Sequence, residues 1–491
     1  MQSRRDDAVR SPVNPVGISG EKPMWVLAAP DVYPFSKAGG ISDYVHSFAM
    51  ALRRAGIRVE IYSPYYERLM LDEFHQLNPA RRPDSISFRG RMTEYEIYTA
   101  EREGLVYHFV RQPEYYGHDS IYVREGRYNL NLTHFSFMGK TMLRDLKIRF
   151  EAMPAGRLVL QGNDVYASLF GAYLDRADFP RHEVVSLFCI HNLGPGYIAE
   201  RAFYDYYSMD PELKSRLGDS FGDKPSWCEA LLPFFDKMMT VSDTYAEELA
   251  EGPDSIHALL KERRAKGEFR GFLNGIDNRF WSIRASPWLA AGRERESVEE
   301  IKRRCKKRLC ASLELDARKP LFGFVGRICE QKGLETLGNL LQACQEMQLV
   351  ILGEGEPLDR FIPSVPAGRL VHLEHYEEAV CHELLAAADY VLVPSRYEPC
   401  GLVAMYAARF GAVPIVRRTG GLNEIADRIR QSIGWSLSFE DDQECVRQVG
   451  RMLSETDEPS AVPGAANALA EIEWDWETSV DAVMRYAGAR R

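Results

Sequence analysis

The chain lacks the features that would mark several whole classes of protein. It contains no run of about 18 apolar residues, the least that a membrane-crossing helix needs, so no membrane span is expected. It has no excess of positive charge: 61 Lys and Arg stand against 71 Asp and Glu, a formal net charge of −10 over 491 residues. That balance argues against a dedicated nucleic-acid binder and suits a neutral substrate. The nine cysteines form no C-x-x-C pair and no framework spacing, which fits reduced thiols in a cytoplasmic protein. No cluster of metal-ligand spacing is visible, and neither a metal nor a cofactor is expected. Residues 1–23 carry charge, proline and glycine without an apolar core, and are read as a disordered tail and not a signal or transit peptide. What remains is ordinary globular composition, 45% hydrophobic and 27% charged, in a chain too long for one core. Two large domains are expected.

Residues 24–29 (MWVLAA) read as a buried strand, 43–55 as an amphipathic helix ended by Gly56, and 59–62 as the next strand. The loop between strand and helix contains Lys37, Gly39 and Gly40. A glycine loop opening a helix is a ready phosphate site, although a bare K-x-G-G is more often a simple turn. Residues 86–135 alternate apolar and polar and predict inserted hairpins, their many aromatics mostly core. Character changes at 278–300, which sets a first domain at 24–277 and a second at 278–473, with 474–491 a terminal amphipathic helix behind Trp474 and Trp476.

In the second half, strand 321–325 leads into GRICEQKG, an R-x-x-x-x-K pair (Arg327, Lys332) before a helix. Two cations there either lie along a pyrophosphate or are simply solvated. Residues 390–393 predict a short strand, 396–401 a polar loop, 402–410 a helix and 412–416 another strand. Thr419, Gly420, Gly421 and Leu422 turn into a further helix, with N–H groups suited to an anion. Alternation of strand and helix gives the fold class: α/β, two doubly wound Rossmann-like domains facing a central cleft. Ligands of such sheets sit at the carboxyl ends of the strands, which is where Glu398 falls.

These motifs resemble those of bacterial glycogen synthases and plant starch synthases. SRYEPCGL and RRTGGL stand at the family's spacing, as do GRICEQKG (Arg327, Gln331, Lys332, Gly333), GFLNGID around Asn274, TVSDTYAEE at 240–248, and FCIHNL around His191 and Asn192. The K-x-G-G loop matches at Lys37, Gly39 and Gly40, with Asp31 where the family has Glu. The resemblance spans about 24–490 and implies the GT-B architecture and a retaining glucosyltransferase. Its donor would be ADP-glucose or UDP-glucose, and its acceptor the non-reducing end of an α-1,4-glucan. It implies that Glu398, Arg327 and Lys332 carry the chemistry. Lys37, Gly39, Gly40, Asn274, Thr419, Gly420, Gly421 and Leu422 would hold the donor. Asn163, Asp164, His191, Asn192, Cys400 and Gly401 would meet sugar. Tyr376 would border the nucleoside, and the terminal helix would cross back onto the first domain.

One wall departs from the pattern. The family's H-A-H-D-W-H is QGNDVY here, with Gln161, Asn163 and Tyr166 in place of histidines, and only Asp164 retained. Tyr128 to Phe135 reads YNLNLTHF, with Leu130 and His134 where the family has a carboxylate and an arginine. A transferase with another sugar or acceptor, or a glucan-binding protein without turnover, are the competing readings. A phosphorylase is disfavoured, because nothing resembles a pyridoxal-phosphate lysine site.

Overall fold

The structure is a computed structural model that describes residues 23–36, 39–70, 74, 76–77, 79–117, 121, 131–193, 210–217, 227–289, 296–362, 365, 368–455 and 465–489. Lys37, residues 1–22 of the expected tail, and Tyr128 and Leu130 lie outside them.

A first sheet holds nine strands: β1 Met24–Ala28, β2 Arg58–Pro64, β3 Ala80–Phe88, β4 Arg91–Arg102, β5 Leu105–Arg111, β6 Gly156–Asn163, β7 His182–Ile190, β8 Lys237–Thr240 and β9 Phe269–Gly271. Their order is β3-β4-β5-β2-β1-β6-β7-β8-β9. From β5 to β9 every pairing is parallel. The β3-β4 and β4-β5 pairings are antiparallel hairpins. Their two-residue turns place Arg89 and Gly90, then Glu103 and Gly104, at positive φ, the geometry that matches strand twist in a tight hairpin. The hairpins thus begin before residue 86 and end by 111. Their aromatics are core: Phe35 meets the rings of Tyr107 at 5.0 Å and Phe109 at 5.5 Å, edge to face.

A second sheet holds β10 Leu321–Val325, β11 Gln348–Leu352, β12 Leu370–Leu373, β13 Tyr390–Val393, β14 Val413–Arg417 and β15 Leu437–Phe439, all parallel. Their order is β12-β11-β10-β13-β14-β15. Strands β10, β11 and β13 are apolar along nearly their whole length and buried on both faces, as parallel strands covered by helices must be. The lower ends of three strands are tied by Asp389. Its backbone N–H donates to Leu321 O (2.8 Å), its carboxylate accepts the Leu321 N–H (2.8 Å), and its carbonyl accepts the Val413 N–H (2.9 Å). Lys306, on the helix Val298–Ser312, closes the buried ion pair with the same carboxylate at 2.6 Å.

Strand order reverses between β1 and β6 in the first sheet and between β10 and β13 in the second. Loops leaving neighbouring strands at such a point diverge to opposite faces and open a crevice. The four loops concerned begin at residues 29, 164, 326 and 394. They carry Gly39, Arg327, Lys332, Glu398, Cys400 and Gly401. Helix α1, Gly40–Arg54, follows β1. Helix α2, Asp243–Glu251, follows β8. Helices α3, Leu402–Arg409, and α4, Gly421–Ile433, follow β13 and β14. Helix α5, Glu477–Tyr486, returns to the first unit, where the Tyr486 hydroxyl donates to Met238 O at 2.8 Å and Trp476 packs on Tyr44.

Candidate active site

Glu398 sits in the loop between β13 and α3. Its Oε2 accepts from Lys332 Nζ and from Ser395 Oγ, each at 2.7 Å. The Lys332 and Glu398 side chains retain 20% and 13% exposure, so the pair is largely desolvated yet open at one side. Lys332 comes from the short turn Glu330–Lys332 after β10. The two loops are zipped together: Arg396 N–H donates to Gln331 O (2.8 Å) and Gln331 Nε2 donates to Tyr397 O (3.2 Å). Gly333 is required at their contact, since a Cβ there would lie 2.2 Å from Pro394 O and φ is +63°. Arg327 is exposed and makes no ion pair with the described residues; its guanidinium is 3.5 Å from Gln331 Oε1. A free cation therefore stands on the same loop as a carboxylate–ammonium pair.

The glycine turn after β14 does something other than bind phosphate through its N–H groups. Gly420 N–H donates to Glu248 Oε1 at 2.7 Å, and Gly421 N–H donates to Glu398 O at 3.1 Å. Thr419 Oγ1 lies 3.4 Å from both Glu248 oxygens, and Leu422 is fully buried. Cβ atoms on Gly420 and Gly421 would come within 2.1 Å of Glu398 O and 2.2 Å of Cys400 O. These glycines let two backbones touch; their donors are spent on protein. A helix start open to an anion is that of α3, where Gly401 caps in the left-handed region (φ 93°), the Ala404 N–H turns back to Gly401 O at 2.9 Å, and the Leu402 and Val403 N–H groups have no intrahelical acceptor. Cys400 is buried, and desolvation drives its thiol far above the usual range, so it stays protonated. Asn274, expected at the donor, is buried, with its N–H directed to the Cys400 sulfur. It also lines a cavity of about 240 Å³ with Leu273, Arg428, Trp474 and Ser479.

On the first unit, Gly39 and Gly40 are exposed at the start of α1, with Ser42 Oγ donating to Gly39 O at 2.7 Å. The altered wall forms a closed chain of amides. Trp25 Nε1 donates to Gln161 Oε1 (3.0 Å), Gln161 Nε2 to Asn163 Oδ1 (3.1 Å), and Asn163 Nδ2 to Ala28 O (2.9 Å). Asn163 has no exposed surface. The expected sugar contact from Asn163 is not available: its acceptor is shared between Gln161 and His191, and one donor is spent on Ala28. Its Oδ1 lies 3.1 Å from His191 Nε2, which fixes that nitrogen as the protonated one. Desolvation pushes the His191 imidazole down to about 3, so it is neutral. Asp164 is buried at a φ of +61° and accepts the His191 N–H at 3.1 Å. Asn192 Oδ1 is buried without a hydrogen-bond partner among the described residues.

Ser242, expected from the sequence only as a helix cap, also joins the two walls, and Tyr245 braces the first. Ser242 Oγ donates to Pro399 O at 2.6 Å, the residue beside Glu398. Tyr245 OH accepts the N–H of Leu193, two residues after His191, at 2.9 Å. Ser395 was legible only as a strand breaker; nothing in a single sequence says that its hydroxyl turns toward a carboxylate three residues on.

Comparison with known proteins extends this geometry. Residues 26–262 match the starch synthase catalytic domain family, and residues 306–467 match glycosyl transferases group 1. The glycogen synthase of Syntrophotalea carbinolica is 30% identical over 442 residues, covering 84% of this chain and 87% of the relative. That of Edwardsiella ictaluri is 30% identical over 419 residues, covering 81% and 84%. Among solved structures, the catalytic domain of starch synthase IV from Arabidopsis thaliana, bound to ADP and acarbose, has the same fold. Its TM-score is 0.73 at 23% identity, with 96% of this chain and 99% of that one covered. A sucrose-phosphate synthase from Thermosynechococcus elongatus aligns with a TM-score of 0.56 at 18% identity, covering 95% and 98%. The chain belongs to the glycogen and starch synthase family of GT-B glycosyltransferases.

Proposed function

We propose that this glucosyltransferase moves glucose from ADP-glucose, with UDP-glucose as the alternative donor, to the non-reducing 4-hydroxyl of an α-1,4-glucan with retention of configuration. The observation that carries the reading is the Lys332–Glu398 pair at 2.7 Å, with Arg327 on the same loop in no ion pair among the described residues, at the switch point of the second sheet. As the bond from the anomeric carbon to phosphate breaks, negative charge gathers on the leaving diphosphate. Arg327, Lys332 and the opening N–H groups of α3 lie where fixed positive charge lowers that barrier. Glu398 faces the opposite charge: its carboxylate steadies the cationic sugar while Ser395 holds it in one orientation. No further cofactor is called for, since the donor brings its own leaving group. All nine cysteines are free, which suits a reducing compartment, and we assign the enzyme to the cytoplasm. No helix among the described residues is long and apolar enough to cross a membrane.

Release of nucleoside diphosphate from ADP-glucose and UDP-glucose, with and without glycogen, tests the reading against a Glu398→Ala control. Glycogen-dependent release that is lost in the control supports it and names the donor. A second reading, transfer to a different acceptor, is favoured by the buried amide at Asn163 where the family has histidine. Donor binding without glycogen-dependent release would select it.

A further inference from the structure

We infer that Glu248 and Glu424 form a reciprocal cap between the two sheet units and act as positioning residues for the Glu398 loop. The inference rests on the reading of Glu398 as an active-site carboxylate. Helix α2 belongs to the first unit and α4 to the second, and each opens toward the other. Glu248, on α2, accepts the Gly420 N–H at the start of α4 at 2.7 Å. Glu424, on α4, accepts the Thr244 N–H at the start of α2 at 3.0 Å. Each helix start thus has one of its orphan N–H groups satisfied by a carboxylate from the other unit, with the helix dipole favouring both.

The connection from this double cap to the catalytic loop is short and stiff. Gly420 N–H meets Glu248, and the next N–H, of Gly421, meets Glu398 O at 3.1 Å. Ser242, the N-cap of α2, accepts the Tyr245 N–H at 3.2 Å while its hydroxyl donates to Pro399 O at 2.6 Å. The Glu398–Pro399 backbone is therefore gripped from both units. There is no slack to absorb a shift, because a single Cβ on Gly420 would already lie 2.1 Å from Glu398 O. Both carboxylates are also substantially desolvated, which raises their pKa values and shows that the contacts are drawn in from water. Rotation of one unit against the other must break or keep these bonds together, so the orientation of Glu398 follows the relative position of the units.

The test is amide hydrogen exchange on the full, donor-free chain, for wild type, Glu248→Ala, Glu424→Ala and the double variant. Loss of a cap should speed exchange at 419–424 and at 396–401 by roughly 3- to 30-fold. The double variant should fall short of the product of the two single effects, as for residues in one network. In turnover, Glu248→Ala should lower kcat about 10- to 100-fold, the scale of a small misplacement at the reacting centre, and change donor KM less. Glu248→Gln keeps an acceptor oxygen and should recover most of both signals. Should Glu248→Ala fail to fold, Glu424→Ala carries the same readouts. Unchanged exchange at 396–401 in a folded variant overturns the inference. The exchange measurement needs no substrate, so it decides the cap even if the transfer reaction proves to be another.

Discussion

At the carboxyl end of β13, Glu398 meets Lys332 and Ser395 with both charged side chains still reaching solvent. At the carboxyl end of β6, Asn163 is sealed from solvent and held by Ala28, Gln161 and His191. The same strand-to-helix unit builds both places. What differs is whether the polar groups are used up. Charges left one-sided keep their field for a ligand, whereas neutral amides that satisfy one another stabilise the fold and offer little outward. The second-unit wall keeps its charges within reach of solvent; the first-unit wall satisfies its polar groups internally.

The strongest way to break this contrast is to remove the cation. Lys332→Met should lower kcat about 100- to 1,000-fold, the cost of one preorganised donor, without lowering the melting temperature greatly. Next is Gly420→Ala. Its Cβ has no room beside Glu398 O, and the φ of +46° disfavours any side chain. The displaced loop should lose about 100-fold in kcat, read by steady-state kinetics. Asn163→Ala should do the reverse. It strands Gln161 and His191, costing about 1–3 kcal/mol in a urea melt, while kcat for donor turnover changes by less than about threefold, the scale of a surface substitution.

The smallest effect is with pH and separates the first-unit sheet from the junction. Burial raises the pKa of Glu60, but the hydrogen bond to His108 and the charges of Arg149 and Arg58 outweigh it, and the net shift is downward. Its stabilisation is present above the unfolded value near 4.5 and is lost as pH falls through the lower folded value. Glu248 and Glu424 are raised by burial, so they cost least when protonated and contribute no loss on acidification. Acid melts of wild type and Glu60→Gln should converge as pH falls through the lowered folded value of Glu60, where its contribution disappears.

Much of this was legible in the sequence. The strands at 321–325 and 390–393 were bounded correctly because continuous apolar runs between turn residues admit little else. Arg327, Lys332 and Glu398 were placed on neighbouring loops because strand alternation and the switch-point rule bring them there. The role of Gly420 and Gly421 was not legible. A glycine pair before a helix looks the same whether it leaves N–H groups for phosphate or lets another backbone approach, and only the position of Glu398 O decides. Asn163 failed for a related reason: its partners are 2, 28 and 135 residues away along the chain. The hairpins began six residues early because β3 opens on exposed residues, Ala80 to Pro83, that carry no apolar alternation.

The contrast between the walls is tested most directly by ADP binding to wild type, Lys332→Met and Asn163→Ala, measured by titration calorimetry. Lys332→Met is expected to weaken ADP at least about tenfold, the scale of a charge-assisted hydrogen bond, and Asn163→Ala to bind it as wild type does. Equal weakening in both variants, or none in Lys332→Met, would contradict it.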